Sequence, residues 1–245
     1  MKNNRMFEEI CRPVIFEQDD EDCPYWGLGS SVLVANSTNY YWVTAAHVID
    51  KMGGSADSLR IFPSDSSRIS VPFNMLYRIL DDENSSEDYK DLFVLRIDIT
   101  KFKKESDGIL TAHDIELAVF PADKLSKGDQ LIVIGYPGED ISFDYENFKI
   151  KCKKLRLDAE YVGHSVEDHC HELKVLESST LSDYKGLSGS PVFYMEEVQV
   201  SAAKVAIIPK LVGLLIRGTA ESKIAHFINV EVLLSLIRNS ENENA

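Results

Sequence analysis

Short apolar segments, each bounded by polar or turn-forming residues, recur along most of the chain. They are rich in Val, Ile, Leu, Phe and Tyr and end at Gly, Pro, Asp or Ser, which is typical of β-strands. The first two flank a turn-like Asn-Ser-Thr-Asn sequence. Strands are predicted over residues 28–35, 40–44, 59–62, 73–79, 92–97, 130–134, 148–155, 173–177, 191–195 and 203–216.

Helical periodicity is clear only near the end of the chain. In residues 229–238 apolar side chains recur at steps of three and four, with Asn229 as the expected N-cap. The polar residues 240–245 are expected to fray. Many short strands and one terminal helix predict an all-β sandwich or barrel, and periodicity alone does not choose between the two.

Size and charge narrow the class of protein. The 245 residues, 44% of them hydrophobic, fit one all-β domain over residues 1–245 with a sizeable core. The net charge of −14 would repel nucleic-acid phosphates and anionic membranes, so neither is an expected partner. Protein substrates stay open, and cationic peptides are mildly favoured.

The cysteines and the first residues bear on location. Cys11, Cys23, Cys152 and Cys170 form no CxxC pair, and four cysteines in a chain of this length are more typical of free thiols than of a disulfide framework. Residues 1–14 contain no apolar core of signal-peptide length, although a chain whose signal had been removed would look the same. We expect a cytoplasmic location.

Three segments carry candidate chemistry: Thr-Ala-Ala-His-Val ending at Val48, Asp91 before an apolar strand, and Gly-Leu-Ser-Gly-Ser-Pro around Ser188. A serine hydroxyl needs a neighbouring base, and His47 suits that role because histidine titrates near neutrality. A carboxylate then orients the imidazole, and glycines beside the serine let backbone amides face an oxyanion. Each segment alone has a structural explanation; three such coincidences in this order are much rarer.

These segments resemble the signatures of trypsin-like serine peptidases. TAAHV is similar to TAAHC, DLFVLRI to the aspartate strand, and GLSGSP to GDSGGP and to the GNSGSP of bacterial glutamyl-endopeptidase relatives. The order His47, Asp91, Ser188 and the intervals of 44 and 97 residues also agree with the family. The resemblance spans about residues 25–238 and is closer to intracellular or bacterial members than to secreted zymogens.

The resemblance implies a double six-stranded β-barrel of the chymotrypsin type with a C-terminal α-helix. The barrels would span about residues 25–120 and 121–228, with the helix at 229–238 packed on the second barrel. His47, Asp91 and Ser188 would form the catalytic triad in the cleft between the barrels. The amides of Gly186 and Ser188 would form the oxyanion hole, and residues 214–218 would pair with substrate.

The function implied is that of a serine endopeptidase acting through an acyl-enzyme, with a protein or peptide substrate and no metal or other cofactor. An effector role in a bacterial defence or stress system is an analogy within the family. Two alternatives remain: a catalytically silent peptide-binding module, and a peptidase activated by a protein partner.

The chain departs from the family pattern at three positions. Val48 replaces a disulfide cysteine of secreted members, and Leu187 replaces the acid that pairs with a cut N-terminus in zymogens. Activation by such a cut is therefore not expected. Ile216 replaces a serine that bonds the triad aspartate in many relatives, a role that Thr44 could take over.

Substrate preference is weakly marked. Ser182 aligns with the base of the primary pocket, and Asp183 beside it would favour Lys or Arg if it pointed inward; an exposed Asp183 is the more common arrangement. The remaining residues expected to contact substrate are Leu215, Ile216, Arg217 and Gly218. Lys185 and Arg217 could favour acidic side chains, or be simply solvated.

A cluster rich in histidine occurs at residues 164–171, with His164, His169, Cys170 and His171 beside two acids. Imidazole and thiolate bind zinc, but three consecutive residues rarely face one ion. A surface loop without metal is expected there.

Overall fold

The computed structural model describes residues 9–51, 53–64, 67, 69–79, 86–106, 109–146, 149–176, 181–201 and 204–242. The strands in this part of the chain are β1 (Cys11–Pro13), β2 (Phe16–Glu17), β3 (Tyr25–Trp26), β4 (Ser30–Ala35), β5 (Tyr40–Thr44), β6 (Phe73–Arg78), β7 (Phe93–Ile97), β8 (His113–Asp114), β9 (Gln130–Gly135), β10 (Ile141–Asp144), β11 (Lys149–Cys152), β12 (Leu155–His164), β13 (Cys170–Val175), β14 (Pro191–Ser201), β15 (Lys204–Gly218) and β16 (Ile224–Asn229). The α-helices are α1 (Ala46–Asp50), α2 (Glu87–Lys90), α3 (Ile99–Glu105) and α4 (Val230–Asn242).

The strands form two main units. The first is a six-stranded sheet in the order β1-β4-β5-β7-β6, with β8 parallel to β4. The second is a closed six-stranded barrel in the order β12-β13-β16-β15-β14-β9. Two short antiparallel pairs, β2-β3 and β10-β11, lie outside them. The prediction of an all-β protein with a C-terminal helix is confirmed.

The two units share packing. One buried cluster combines apolar side chains of the first sheet, such as Trp42 and Val94, with Ile134 and Phe193 of the barrel and Leu233 of α4. A second cluster fills the barrel interior. Backbone bonds also connect the units, since the amide of Ser30 in β4 donates to the carbonyl of Ser188 at 2.9 Å. This shared packing fixes the groove in which residues from both units meet.

The C-terminal helix is longer than predicted and contacts both units. Asn229 caps it, because its Oδ1 accepts from the amide of Glu231 at 3.1 Å. The helix continues to Asn242, past the expected frayed start at residue 240, because Glu241 accepts hydrogen bonds from the side chains of Asn39, Asn36 and Tyr41 in and beside β5. Helix α4 therefore packs against the first sheet as well as the barrel; residues 243–245 lie outside the described part.

Several predicted boundaries changed. The strand predicted at 59–62 is wrong: Leu59 makes one isolated bridge to Phe16. The Arg60 amide still donates to the carbonyl of Ile15, but the carbonyl of Ile61 accepts from Val71, so the backbone changes partner and no ladder continues. The predicted strand 148–155 is divided between β11 and β12, because the amide of Lys153 closes the β10-β11 hairpin on Asp140. The predicted ends at 148, 177 and 203 lie outside the described residues.

Helix α3 was not predicted, although Asp98 caps it by accepting from the amide of Lys101 at 2.9 Å. Seven residues are too few to show a helical period clearly. Within the described residues, no helix combines the length and the apolar character that a membrane crossing requires.

Candidate active site

His47 stands at the junction of a strand and a short helix. Strand β5 ends at Thr44, and α1 starts two residues later with its first turn packed into the core through the small side chains of Ala45 and Ala46. His47 follows, with 28% of its side chain exposed. Small residues at these two positions let the strand end deep in the molecule while the imidazole faces the groove.

Asp91 holds that imidazole with both carboxylate oxygens. It follows α2, with φ −77° and ψ 44°, and its side chain is only 12% exposed. Oδ1 accepts from the His47 backbone amide at 2.8 Å, and Oδ2 lies 2.6 Å from His47 Nδ1. A proton on Nδ1 satisfies the second contact, which leaves Nε2 as the acceptor.

Neither Thr44 nor Ile216, the residue in the place of the family serine, supports Asp91 with its side chain. Thr44 donates its hydroxyl to the carbonyl of Ser30 at 2.7 Å, so it does not replace the family serine. Ile216 is buried in the shared core. The hydrogen bond from the His47 backbone amide therefore holds the Asp91 carboxylate, and no side-chain hydroxyl among the described residues is needed for this.

Ser188 completes the group across the groove. Its Oγ lies 3.0 Å from His47 Nε2 and 3.2 Å from the carbonyl oxygen of Ile216. The three predicted triad side chains thus form a continuous hydrogen-bonded chain, although they lie 44 and 97 residues apart in sequence.

The loop around Ser188 needs glycine at two positions, one on each side of the serine. Gly186 and Gly189 have φ values of 86° and 85°, in the region that side chains disfavour. A Cβ on Gly189 would also lie 2.0 Å from the carbonyl oxygen of Ser30. Within the described residues, the amides of Gly186 and Ser188 donate to no protein acceptor.

Leu187 anchors this loop by apolar packing. Its side chain is 1% exposed and lies in the cluster that fills the barrel. The family acid that it replaces would require a charged partner at the same place. The loop conformation here is therefore maintained by burial of a leucine rather than by an ion pair.

Ser30 was not predicted as a functional residue. It is fully buried. Its Oγ donates to the carbonyl of Gly186 at 2.8 Å and accepts from the amide of Tyr136 at 2.8 Å. The sequence signal is a pair of serines at the start of an otherwise apolar strand, because hydroxyls buried with such a strand need partners.

The predicted substrate strand is only partly exposed to the groove. Leu215 is buried in the barrel core, so its side chain does not line the cleft. Pairing of β15 with β16 shifts between Leu215 and Arg217, and this bulge leaves Ile216 outside the ladder, where its carbonyl reaches Ser188. Arg217 Nε bonds Asp88 of α2 at 2.8 Å, and Gly218 packs closely on Ala225.

The residues aligned with the primary pocket have local partners. Asp183 accepts from the amide of Lys185 at 2.9 Å, and its other oxygen lies 3.2 Å from Lys185 Nζ. These hydrogen bonds lower the pKa of the Asp183 carboxyl. Ser182 is exposed and donates to Glu139 at 3.3 Å. The contacts of Asp183 give no support to a Lys or Arg preference.

The histidine-rich segment is not a surface loop throughout. Cys170 and His171 are buried in β13, whereas His169 is exposed, with φ 61°, and its ring contacts Tyr89. Burial raises the pKa of the Cys170 thiol to about 12 and is the main cause that lowers the pKa of His171 to about 4. Neither group carries charge near neutral pH.

A separate cavity of about 1100 Å³ lies between the β10-β11 hairpin and the segment from Arg12 to Tyr25. Arg12, Tyr25, Phe143 and Lys151 are among its lining residues, and the triad residues are not. The site described above is therefore separate from this cavity.

Solved structures share this architecture. The crystal structure of scabies mite inactivated protease paralogue S-I1 matches with a TM-score of 0.57 and 14% identity, covering 99% of this chain and 98% of that chain. Paralogue S-D1 matches with a TM-score of 0.57 and 13% identity, covering 97% and 94%. At these identities the likeness shows the fold alone, and it confirms the predicted double β-barrel of the chymotrypsin type.

Sequence comparison gives the family. A search of curated proteins finds no match. The model of the trypsin-like peptidase domain matches residues 29–202, which include His47, Asp91 and Ser188. The chain therefore belongs to the trypsin-like peptidase domain family.

Proposed function

We propose that the protein is a serine endopeptidase that hydrolyses peptide bonds through an acyl-enzyme intermediate. The observation that carries the proposal is the connected arrangement of Asp91, His47 and Ser188, with distances of 2.6 and 3.0 Å between successive side chains. Membership of the trypsin-like peptidase domain family supports protein substrates.

The first half of the reaction forms the acyl-enzyme. Ser188 Oγ attacks the scissile carbonyl carbon while its proton passes to His47 Nε2, and Asp91 stabilises the imidazolium. The amides of Gly186 and Ser188 donate to the oxyanion of the tetrahedral intermediate. His47 then gives the proton to the departing amine, and the C–N bond breaks.

The second half releases the acid. A water molecule loses a proton to His47 Nε2 as it attacks the ester carbon, and a second tetrahedral intermediate forms at the same amides. Its collapse breaks the bond to Ser188 Oγ, which recovers the proton. Every step uses groups of this chain, and no cofactor enters the scheme.

Substrate backbone binding is assigned to the end of β15. The carbonyl of Ile216 and the backbone of Gly218 would pair with an extended peptide by strand addition. Arg217 is tied to Asp88 on the opposite side of the groove and would narrow it. The place of Ser182 and Asp183 at the primary pocket stays a prediction from the family resemblance.

A fluorophosphonate probe tests the proposal, since it reacts with an activated serine and needs no knowledge of the substrate. Wild-type protein should be labelled, whereas Ser188→Ala and His47→Ala should not. The variant Ser190→Ala is the matched control, because this neighbouring serine is fully buried and outside the triad. Labelling of Ser188→Ala at the wild-type rate would refute the proposal.

A catalytically silent peptide-binding module is the second candidate, because the two structural relatives are described as inactivated proteases. It predicts peptide binding without labelling of the wild type. Labelling that appears only after addition of cell extract would indicate an activating protein partner.

We assign the protein to a reducing compartment, the cytoplasm. Support comes from the free thiols of Cys11, Cys23 and Cys170 and from the burial of Cys11, whose Sγ donates to the carbonyl of Ile134 at 3.1 Å. An effector role in bacterial defence or stress stays a prediction from family analogy.

A further inference from the structure

Three side chains with metal-binding atoms converge at one edge of the barrel. Asp123 lies in the 3₁₀ turn Ala122–Lys124, His164 ends β12, and His171 lies in β13. Asp123 Oδ1 is 3.7 Å from His164 Nδ1 and 3.5 Å from His171 Nε2. All three atoms lie within 4.8 Å of one another.

His171 gives an independent reason to expect a ligand. Its side chain is 1% exposed, and its Nε2 makes no hydrogen bond with the described residues. Buried polar atoms of native proteins nearly always have a partner, and each exception needs an explanation. This nitrogen is directed at the space between Asp123 and His164, where an ion would give it one.

Neighbouring side chains fix the orientation of His171 and Asp123. Tyr161 Oη lies 2.8 Å from His171 Nδ1, and the ring of Phe227 stacks on the imidazole at 5.5 Å. Asn229 Nδ2 donates to Asp123 Oδ2 at 3.2 Å. Hydrogen bonds of this kind behind a ligating histidine or carboxylate are the usual support of a metal site.

The spacing fits a small tetrahedral ion. Bonds of about 2.0–2.1 Å place tetrahedral ligand atoms about 3.4 Å apart. The two distances from Asp123 Oδ1 are close to that value. Two imidazoles and one carboxylate favour zinc over calcium or magnesium, which prefer oxygen ligands. His164 and Asp123 are more than half exposed, so water can occupy a fourth position.

We propose that Asp123 Oδ1, His164 Nδ1 and His171 Nε2 bind a divalent transition-metal ion, with Zn²⁺ as the occupant. The ion joins the turn that precedes the barrel to the β12-β13 hairpin and, through Asn229, to the start of α4. Its effect is to stabilise the barrel edge, independently of peptidase activity. This proposal replaces the sequence-based expectation of no metal, which missed Asp123 because that residue is distant from the histidines in sequence.

Calorimetric titration of the chelator-treated 245-residue protein with Zn²⁺, together with thermal unfolding, tests the proposal. We expect one equivalent bound to the site and a rise in Tm that the chelator reverses. Asp123→Ala and His164→Ala, which change exposed side chains, should abolish both. Tyr161→Phe removes the support of His171 and should weaken Zn²⁺ binding by about 10- to 100-fold.

His169→Asn is the matched control, because it removes an exposed histidine of the same segment and keeps a residue that tolerates positive φ. It should bind Zn²⁺ as the wild type does. Equal binding by the wild type and both alanine variants would place the ion elsewhere and overturn the proposal. Absence of binding at millimolar Zn²⁺, or loss of binding in His169→Asn as well, would also overturn it.

Discussion

The hydroxyl of Ser30 donates a hydrogen bond to the carbonyl of Gly186 across the boundary between the two units, at 2.8 Å. The same oxygen accepts from the amide of Tyr136, and the Ser30 amide donates to the carbonyl of Ser188. One buried residue of the first sheet therefore holds the loop at both Gly186 and Ser188. In the proposed reaction, Ser30 is a positioning residue for the oxyanion hole.

We predict that Ser30→Ala lowers kcat more than it raises KM. Without the hydroxyl, the carbonyl of Gly186 and the amide of Tyr136 lose a buried partner, at about 1–3 kcal/mol. If that loss falls on the loop geometry, kcat drops by roughly 5- to 100-fold. Steady-state kinetics on a peptide cleaved by the wild type would measure it.

Ser31→Ala is the matched control, because Ser31 is equally buried but donates to the carbonyl of Arg12, away from the loop. Both variants should lose stability, and only Ser30→Ala should lose kcat per folded molecule. An equal loss of kcat in both variants would mean that Ser30 acts through general stability alone.

We predict that Asp91→Asn reduces kcat by about four orders of magnitude, as in a comparable triad. An amide nitrogen facing His47 Nδ1 would favour the tautomer that protonates Nε2, and this nitrogen could no longer accept the proton of Ser188. Fluorophosphonate labelling rates measure the loss without a known substrate.

Asp50→Asn is the matched control. It lies at the end of the same helix as His47, removes only a surface ion pair with Arg78, and should be labelled at the wild-type rate. Normal labelling of Asp91→Asn would contradict the assigned role.

The three residues of the proposed triad could be predicted from sequence because each lies in a short segment with its own chemistry. A strand that ends in small residues before His47, an acid before an apolar strand, and glycines around Ser188 are all local features. The spatial arrangement followed from the family resemblance, since nothing in the spacing alone dictates which residues meet.

Features that depend on distant partners were not predictable. Ser30 meets Gly186 and Tyr136 over 156 and 106 residues of sequence, and a single sequence gives no measure of such pairing. Asp123 and His171 are brought together by closure of the barrel, so their proximity was equally hidden in the sequence. The strand expected at 59–62 failed because apolar alternation also occurs in extended chain that buries Leu59 and Ile61 without a ladder.

We predict that the loop before Ser188 depends on burial of Leu187. Leu187→Ala should lower the free energy of unfolding by about 2–5 kcal/mol, because it leaves a cavity in the barrel core. Leu117→Ala, at a side chain that is 76% exposed, should change it by less than about 0.5 kcal/mol. Urea unfolding monitored by circular dichroism measures both.

The variant Leu187→Asp distinguishes a loop held by a buried leucine from the loop of zymogens, in which an acid at this position forms an ion pair. A carboxylate at this position would be buried among apolar side chains and should destabilise the protein more than alanine does. If Leu187→Asp were as stable as the wild type and were labelled faster, a cationic group would lie in reach of the loop, contrary to the packing described.

We predict that His113 is one of the groups, with His171, that make the folded protein sensitive to acid. The side chain is buried beside Phe193 and lies 2.6 Å from the carbonyl of Ala118, and its burial lowers the pKa of the imidazole below 6.5. As the pH falls below about 6.5, the unfolded chain takes up a proton that the folded protein does not, so stability decreases until the folded pKa is reached. The loss of stability from His113 between about pH 6.5 and 5.5 is at most about 1.4 kcal/mol.

His113→Gln keeps a donor and should flatten this part of the stability–pH profile, measured by urea unfolding with chelator present, whereas His169→Asn should not. An unchanged profile in His113→Gln would assign the acid sensitivity to another group.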